Sequence, residues 1–388
     1  ARWRSVLGRN LPVMTPYESG LFRALAPDTA PQPDQLQDAL LAVYATFDLF
    51  DGTVHPKAAL HLHLDGAIPP KTMWALAQEK KIPMPAETLE GFRHWLVETS
   101  DCADVNTYLA RFELPLQLMQ DEKSIARVTK DLMTELSRQG HIYDEIRFAP
   151  QLHRREGLTQ RQAIEAVLEG RRQALAENPG YDAGILLCAM CIGPETVNMA
   201  ENLETVRLAK EFLGRGVVGA DLAGAEGIVP LQSFHPVFDL ARELGVPATC
   251  HAGDSQGPDT VRDALSFGVT RIGHGHHIYD EPSLWEPAIA CGVTLEICPT
   301  SNIQCHTQPS YRDHPAKKLL DAGLRLCIST DNMTLAAVNL EDEYRHCVED
   351  MGFTPEDLGK MLVFAAEAAF LPGEEKQKLV ARVKEALS

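Results

Sequence analysis

The chain has 388 residues, 45% of them hydrophobic and 23% charged, and a formal net charge of −18 at pH 7. This composition is typical of a globular protein, and the length allows one large domain or two modest ones. The acidic balance argues against a nucleic-acid partner, because phosphate binding needs a basic surface, and no apolar run approaches the roughly 20 residues of a membrane span.

Short apolar runs alternate with longer amphipathic runs along most of the chain. Eight of the short runs predict strands buried on both faces, at 58–64, 145–149, 184–190, 217–222, 247–251, 271–274, 293–298 and 325–330. Helical patterns lie between many of them, at 160–176, 200–214, 235–244, 258–267 and 315–322. The alternation predicts parallel βαβ units, and eight strands in about 270 residues fit an α/β protein with a closed (β/α)₈ TIM barrel. An open doubly wound sheet is the alternative.

Three segments fall outside this pattern. Residues 1–57 contain a proline-rich loop and one helical pattern around Gln35–Phe47, and we expect an extension that packs on a barrel domain of residues 58–388. Residues 71–140 predict a helical insertion after strand one, placed where it could roof an active site. Residues 336–388 predict two or three closing helices.

The cysteines indicate free thiols. Nine cysteines form an odd count without a regular spacing, and Cys188 and Cys191 lie in an apolar run that predicts a buried strand. We interpret that pair as reduced core thiols rather than a redox or zinc pair. Reduced thiols favour a cytoplasmic location.

Two histidines are two residues apart in the first predicted strand. Residues at that spacing point to the same face, so His61 and His63 project together while the leucines between and beside them project the other way. Such a pair is either a hydrogen-bonded pair of the core or half of a transition-metal site. The pair alone does not decide between these readings.

Further polar residues end other predicted strands. His251 ends strand five, His274 ends strand six and Asp331 ends strand eight. Singly, His251 could be a core histidine and Asp331 a helix N-cap. In a (β/α)₈ barrel, however, these strand ends converge on the active-site mouth, and nitrogen and oxygen ligands of this kind suit Zn²⁺.

Seven motifs occur in one order over roughly residues 57–350. They are LHLHLDGA at 60–67, DEIRFAP at 144–150, GADLAG at 219–224, HAGD at 251–254, RIGHG at 271–275, EICPTSN at 296–302 and STDN at 329–332. Together they resemble the adenosine deaminase family of the metal-dependent amidohydrolases. The resemblance implies zinc-dependent deamination of adenosine or deoxyadenosine with one Zn²⁺ per chain, and a small purine nucleoside as the partner rather than nucleic acid or membrane.

The resemblance also implies a role for each matching residue. The zinc ligands are His61, His63, His251 and Asp331; His274 orients the attacking water and Asp254 donates a proton near N1; Asp65 contacts the ribose 5′-hydroxyl, Gly224 meets the ring near N3 and Asn332 contacts N7. Outside these roles, Glu145 and Arg147 predict an ion pair within the barrel. His153, His235, His276 and His277 are predicted to support the site or lie at the surface.

Two positions depart from the family pattern. Asp254 stands where the family has a glutamate, and a misplacement of about 1 Å can lower a rate on the order of 10²-fold. Asn332 stands where many members have a second aspartate. These departures leave open a deaminase of adenine or of a modified adenine nucleoside. A non-catalytic purine-binding relative is less favoured, because all four ligand positions are present.

Overall fold

The computed structural model describes residues 56–102 and 105–387. All eight predicted strands are present: β1 Lys57–His63, β2 His141–Phe148, β3 Asp182–Cys191, β4 Val217–Gly224, β5 Thr249–Ala252, β6 Arg271–His274, β7 Thr294–Ile297 and β8 Arg325–Ile328. The N-terminal extension proposed for residues 1–57, with its helix, lies outside the described residues except for Pro56 and Lys57. Lys57 already belongs to β1.

The helices follow the predicted pattern. They are α1 Pro70–Lys80, α2 Leu89–Glu98, α3 Val105–Ala110, α4 Glu113–Leu118, α5 Glu122–Arg138, α6 Gln160–Glu177, α7 Met199–Phe212, α8 His235–Leu244, α9 Pro258–Ser266, α10 Trp285–Ala290, α11 Pro299–Gln304, α12 Ala316–Asp321, α13 Leu340–Glu349, α14 Pro355–Ala368 and α15 Gly373–Ala386. The first five form the predicted insertion and the last three the closing helices. Among the described helices, none is long and apolar enough to cross a membrane.

The strands are parallel and close into a barrel. Hydrogen bonding runs in the orders β1-β2-β3-β4 and β5-β6-β7-β8. The Ala220 amide donates to the Pro247 carbonyl at 2.9 Å and joins the two halves on one side. On the other side Asp331 pairs with β1, donating its amide to His61 O at 3.0 Å and accepting from the His63 amide at 2.8 Å. The closed TIM barrel is therefore confirmed over the open sheet.

Charged side chains fill part of the barrel interior. The predicted Glu145–Arg147 ion pair is wrong: Arg147 binds Asp221 at 2.9 Å and Glu296 at 2.7 Å, whereas Glu145 binds Arg271. All five side chains are buried. Residues i and i+2 of one strand both point inward, but their nearest opposite charges come from strands across the barrel, which local spacing does not reveal.

The helical insertion is attached to the loops that follow β7 and β8. Arg111 donates from Nη1 to the Leu335 carbonyl at 2.6 Å, and the Cys102 amide donates to the Gln304 carbonyl at 3.0 Å. These loops leave the carboxyl ends of the strands, where the active site of such a barrel lies. The insertion thus covers the end of the barrel for which a roof was predicted.

The cysteines and several histidines have clear placements. Eight of the nine cysteines, those from Cys188 to Cys347, are free thiols, and of these only Cys291 is exposed. His235 and His277 are partly exposed. His153 is fully buried, and its Nδ1 lies 2.8 Å from the Met119 carbonyl, which ties the loop after β2 to the insertion.

We expect His153 to make the fold sensitive to acid. Burial lowers the pKa of His153 from 6.5 to about 4, so the unfolded chain gains this proton at a higher pH than the folded protein does. The free energy of unfolding should therefore fall as the pH drops from 6.5 to about 4, by up to about 3 kcal/mol from this residue. Urea unfolding across that window measures the effect.

A substitution isolates the contribution of this histidine. His153→Gln should flatten the loss of stability relative to the unsubstituted protein, whereas His94→Gln, at a side chain that is 53% exposed, should leave the slope unchanged. Equal slopes for the protein and His153→Gln would contradict the assignment.

Candidate active site

Three histidines and one carboxylate converge at the carboxyl ends of β1, β5 and β8. One ligand atom from each of His61, His63, His251 and Asp331 lies within 4.8 Å of the others. Asp331 Oδ1 is 3.4 Å from His61 Nε2 and 3.3 Å from His63 Nε2, and the Nε2 atoms of His63 and His251 are 3.3 Å apart. The structure therefore brings together the four residues predicted as metal ligands.

Two residues of the site have left-handed backbone conformations. His274 has φ 60° and Asp331 has φ 59°. Residues other than glycine rarely adopt such backbone angles, and each costs on the order of 1–3 kcal/mol. The strain at Asp331 is held by the two hydrogen bonds to β1 that close the barrel. Closure of the sheet and placement of this carboxylate thus depend on the same backbone.

Buried carboxylates set the protonation of two ligand histidines. His61 Nδ1 is 2.8 Å from Glu296 Oε2, and His251 Nδ1 is 3.0 Å from Asp221 Oδ2. Burial alone would raise the pKa of both carboxylates, but nearby cations, Arg147 among them, hold their pKa values well below the usual range. An ionised carboxylate only accepts, so each Nδ1 carries a hydrogen and each Nε2 is the ring nitrogen turned toward the cluster.

The cluster fits a metal ion. Among the described residues, no hydrogen-bond donor reaches His61 Nε2, although this atom is fully buried. Burial lowers the pKa of His61 and of His63, so both are neutral and able to ligate at neutral pH. Ser301 donates to Asp331 Oδ2 at 2.7 Å, which leaves Oδ1 toward the histidines. A cation would satisfy the buried lone pairs that meet here.

A chain of hydrogen bonds orients His274. The Ala316 amide donates to His314 Nδ1 at 3.2 Å, so the hydrogen of that ring lies on Nε2 and is donated to Asn302 Oδ1 at 3.2 Å. The Asn302 amino group then donates to His274 Nδ1 at 3.0 Å and to Asp254 Oδ1 at 2.7 Å. His274 therefore carries its hydrogen on Nε2.

Asp254 is anchored by one of its two carboxylate oxygens. Oδ1 accepts from Asn302, from Thr307 Oγ1 at 3.1 Å and from His276 Nε2 at 3.2 Å. Within the described chain no donor reaches Oδ2, and 17% of the side chain is exposed. Burial alone would raise the pKa of Asp254, but His274 and the hydrogen bond from His276 hold it well below its usual range.

The residues predicted to meet the purine nucleoside lie on three of the adjoining loops. Asp65 is buried just after β1, and burial raises its pKa to about 6. Gly66 makes room for Asn332, because a Cβ at Gly66 would lie 1.8 Å from Asn332 Oδ1. Gly224 has φ 108° and would place a Cβ 2.4 Å from the Cys191 carbonyl, so only its bare backbone fits here.

Several residues that support the site were not identified from the sequence patterns. Asp221 and Glu296 are charged residues inside apolar strand runs, which is a recognisable signal of a buried functional carboxylate. Asn302 lies in a quoted motif but received no role. No local pattern pointed to His314 or Thr307, because their partners lie far away along the chain.

We expect Asp221→Asn to weaken metal binding by about 10- to 100-fold, because His251 loses the carboxylate that fixes its hydrogen on Nδ1. Competition with a chelator measures the affinity. Glu343→Gln is the matched control, because Glu343 is another fully buried carboxylate, whose hydrogen-bond partner is Thr300 and not one of the four predicted metal ligands. If Asp221→Asn unfolds, Ser301→Ala provides a milder test through Asp331. A folded Asp221→Asn protein with unchanged affinity would refute this role.

Comparison with known proteins agrees with this geometry. A family model described as adenosine deaminase matches residues 56–386. The adenosine deaminase of Haemophilus ducreyi is 38% identical over 329 residues, which cover 84% of this chain and 95% of that relative. An N6-mAMP deaminase from Arabidopsis has a similar structure, with a TM-score of 0.74, 26% identity, and coverage of 85% of this chain and 98% of that one.

The fold is also that of an adenine deaminase from Arthrobacter aurescens, with a TM-score of 0.76, 23% identity, and coverage of 86% of this chain and 99% of that one. The family match spans the whole barrel. It includes the four converging residues His61, His63, His251 and Asp331, which are called the metal cluster below. The chain therefore belongs to the adenosine deaminase family of metal-dependent hydrolytic deaminases.

Proposed function

We propose that this protein converts adenosine or deoxyadenosine to inosine or deoxyinosine and ammonia with the help of one zinc ion. The observation that carries the proposal is the convergence of three histidine nitrogens and one carboxylate beside His274 and Asp254. Relatives named adenosine deaminase, up to 38% identical, support the choice of substrate.

The donor set suits zinc. Ligand atoms about 2.1 Å from one zinc ion can lie about 3.4 Å apart, and three separations between ligand atoms of the cluster are 3.3–3.4 Å. Zinc, when bound, supplies a hydroxide nucleophile at neutral pH by lowering the pKa of water to about 7. His61, His63, His251 and Asp331 would hold it.

The neighbouring side chains would handle the protons. The His274 ring centroid lies 4.9 Å from that of His61, so its Nε2–H can orient the oxygen that adds to purine C6. Asp254 is ionised in the free site, so it can take the proton that water releases when it becomes hydroxide and pass that proton to N1. The second proton moves to the amine, which leaves as ammonia.

The surroundings favour a nucleoside over a nucleotide. Asp65 is ionised at neutral pH, and a 5′-phosphate beside the sugar it is proposed to bind would be repelled. The Arg111 guanidinium in the insertion donates hydrogen bonds to the Leu335 and Leu96 carbonyls, which leaves it less available to bind a phosphate. The net charge of −18 further disfavours an anionic substrate.

A second candidate is deamination of adenine or of an N6-modified adenine nucleoside. Asp254 is one methylene shorter than the family's glutamate, which changes the reach toward N1, and the structural neighbours include proteins named for adenine and N6-mAMP. A non-catalytic role is disfavoured because the ligand atoms converge. We also infer a deaminase domain of residues 58–388 after an extension of residues 1–57, working in the cytoplasm.

An ultraviolet assay of the zinc-loaded protein tests the substrate. We expect adenosine and deoxyadenosine to be deaminated with the highest kcat/KM, and AMP to be a poor substrate because of Asp65. Adenine and N6-substituted adenosines complete the set. Faster turnover of one of these would replace the leading proposal with the second candidate, and absence of turnover on every aminopurine would refute both.

Asp254→Ala should lower kcat by about 10²- to 10⁴-fold while zinc remains bound, because the proton transfer to N1 is lost but no ligand is. Metal analysis and steady-state kinetics separate the two effects. Asp259→Ala, at a carboxylate that is 87% exposed, is the control and should keep full activity. A near-normal rate for Asp254→Ala would refute the role of Asp254.

A further inference from the structure

Glu226 links two loops at the mouth of the barrel. It lies in the loop after β4, outside the metal cluster, and its carboxylate faces the loop after β5. Four successive backbone amides of that loop donate to it, at 2.7 Å from Gly253, 3.1 Å from Asp254, 2.8 Å from Ser255 and 3.1 Å from Gln256.

The bonds divide between the two oxygens of the carboxylate. Oε1 accepts from Gly253 and also from the Thr260 hydroxyl at 2.6 Å, whereas Oε2 accepts from the three amides that follow. Successive amides around an anion form a concave nest, and hydrogen bonds to an ionised acceptor are stronger than neutral ones. The loop after β5 is therefore wrapped around the Glu226 side chain.

Each of the two linked loops carries a residue proposed to meet the purine. Gly224, two residues before Glu226, is the last residue of β4, where the first loop begins, and is proposed to lie near N3. Asp254, on the second loop, is placed near N1. One side chain therefore connects the two groups that are proposed to contact N1 and N3 of the same ring.

A closely packed glycine stands at the start of each loop. Gly224 is pressed against β3, where a Cβ would meet the Cys191 carbonyl at 2.4 Å. Gly253 has φ 64°, and a Cβ there would meet Val261 at 2.4 Å. Glycine adopts such left-handed conformations without steric cost, and at Gly253 the hydrogen bond to Glu226 helps to hold the backbone in place.

We propose that Glu226 is a positioning residue that sets the distance between the Gly224 backbone and the Asp254 carboxylate. The proposal rests on the proposed deaminase function. The position of the backbone matters more with an aspartate than with a glutamate in the role of the acid. The side chain of Asp254 is shorter, so a change of its rotamer compensates less for a displaced backbone. An error of about 1 Å at such a group lowers a rate on the order of 10²-fold.

Glu226→Gln tests the proposal without changing the length of the side chain. An amide offers one acceptor oxygen, and its NH₂ group would face amide donors, so it cannot hold both ends of the nest. We expect kcat on adenosine, or on the best substrate of the assay, to fall about 10- to 100-fold. Zinc content should not change, because no ligand is touched.

A nucleoside analogue separates positioning from loss of structure. In 1-deazaadenosine carbon replaces N1, so the analogue keeps its contact with Gly224 but offers Asp254 nothing to protonate. Its inhibition constant should change by no more than about threefold in Glu226→Gln. Misplacement of Asp254 should slow the proton transfer to N1, and the analogue binds without that transfer. If the substitution instead disrupted the whole site, binding of the analogue would weaken by as large a factor as kcat falls.

Two further variants complete the experiment. Asp357→Asn removes the charge from another carboxylate that accepts a backbone amide, at the start of α14, and should leave kcat unchanged. Glu226→Asp keeps the charge but shortens the side chain, so it should not restore the rate. Unchanged kcat in Glu226→Gln, or equal losses in kcat and analogue binding, would overturn the positioning role. Absence of turnover in the unsubstituted protein would instead refute the proposed function on which it rests.

Discussion

Arg147 lies inside the barrel between the carboxylates of Asp221 and Glu296, and the metal site depends on this buried arrangement. Each carboxylate also receives the Nδ1 hydrogen of a ligand histidine, His251 for Asp221 and His61 for Glu296. Removing one member of such a buried network costs about 3–5 kcal/mol, because the remaining charge stays unpaired. The same charges that hold strands together across the barrel therefore determine which nitrogen of each histidine is free for a metal.

Asp331 contributes both to closure of the barrel between β8 and β1 and to the metal site. Its backbone completes the pairing between β8 and β1, and its left-handed conformation aims the side chain at His61 and His63. A closed sheet can hold a strained residue, because the hydrogen bonds on both sides define its position. The insertion then binds the loops after β7 and β8 and covers this end of the barrel.

The part of the site that is proposed to face the purine is built differently from the metal cluster. Asp254 is placed by contacts from several loops: Glu226 holds its backbone, and Asn302, Thr307 and His276 hold Oδ1. Among the described residues these contacts leave Oδ2 without a hydrogen-bond donor, and 17% of the side chain is exposed. Several hydrogen bonds thus hold Asp254 in place, and under the proposed function the choice of base would depend on the position of Asp254 relative to Gly224.

The sequence by itself determined the strand–helix alternation, all eight strands and the four residues of the metal cluster. It could do so because strand periodicity is local and because parallel strands of a barrel present their carboxyl ends at one mouth. Only the tertiary structure decided the partners: Arg147 binds across the barrel rather than beside Glu145, and Glu226 reaches a loop about thirty residues away. Such contacts join residues distant along the chain, and their energies depend on burial and on charges that no local pattern contains.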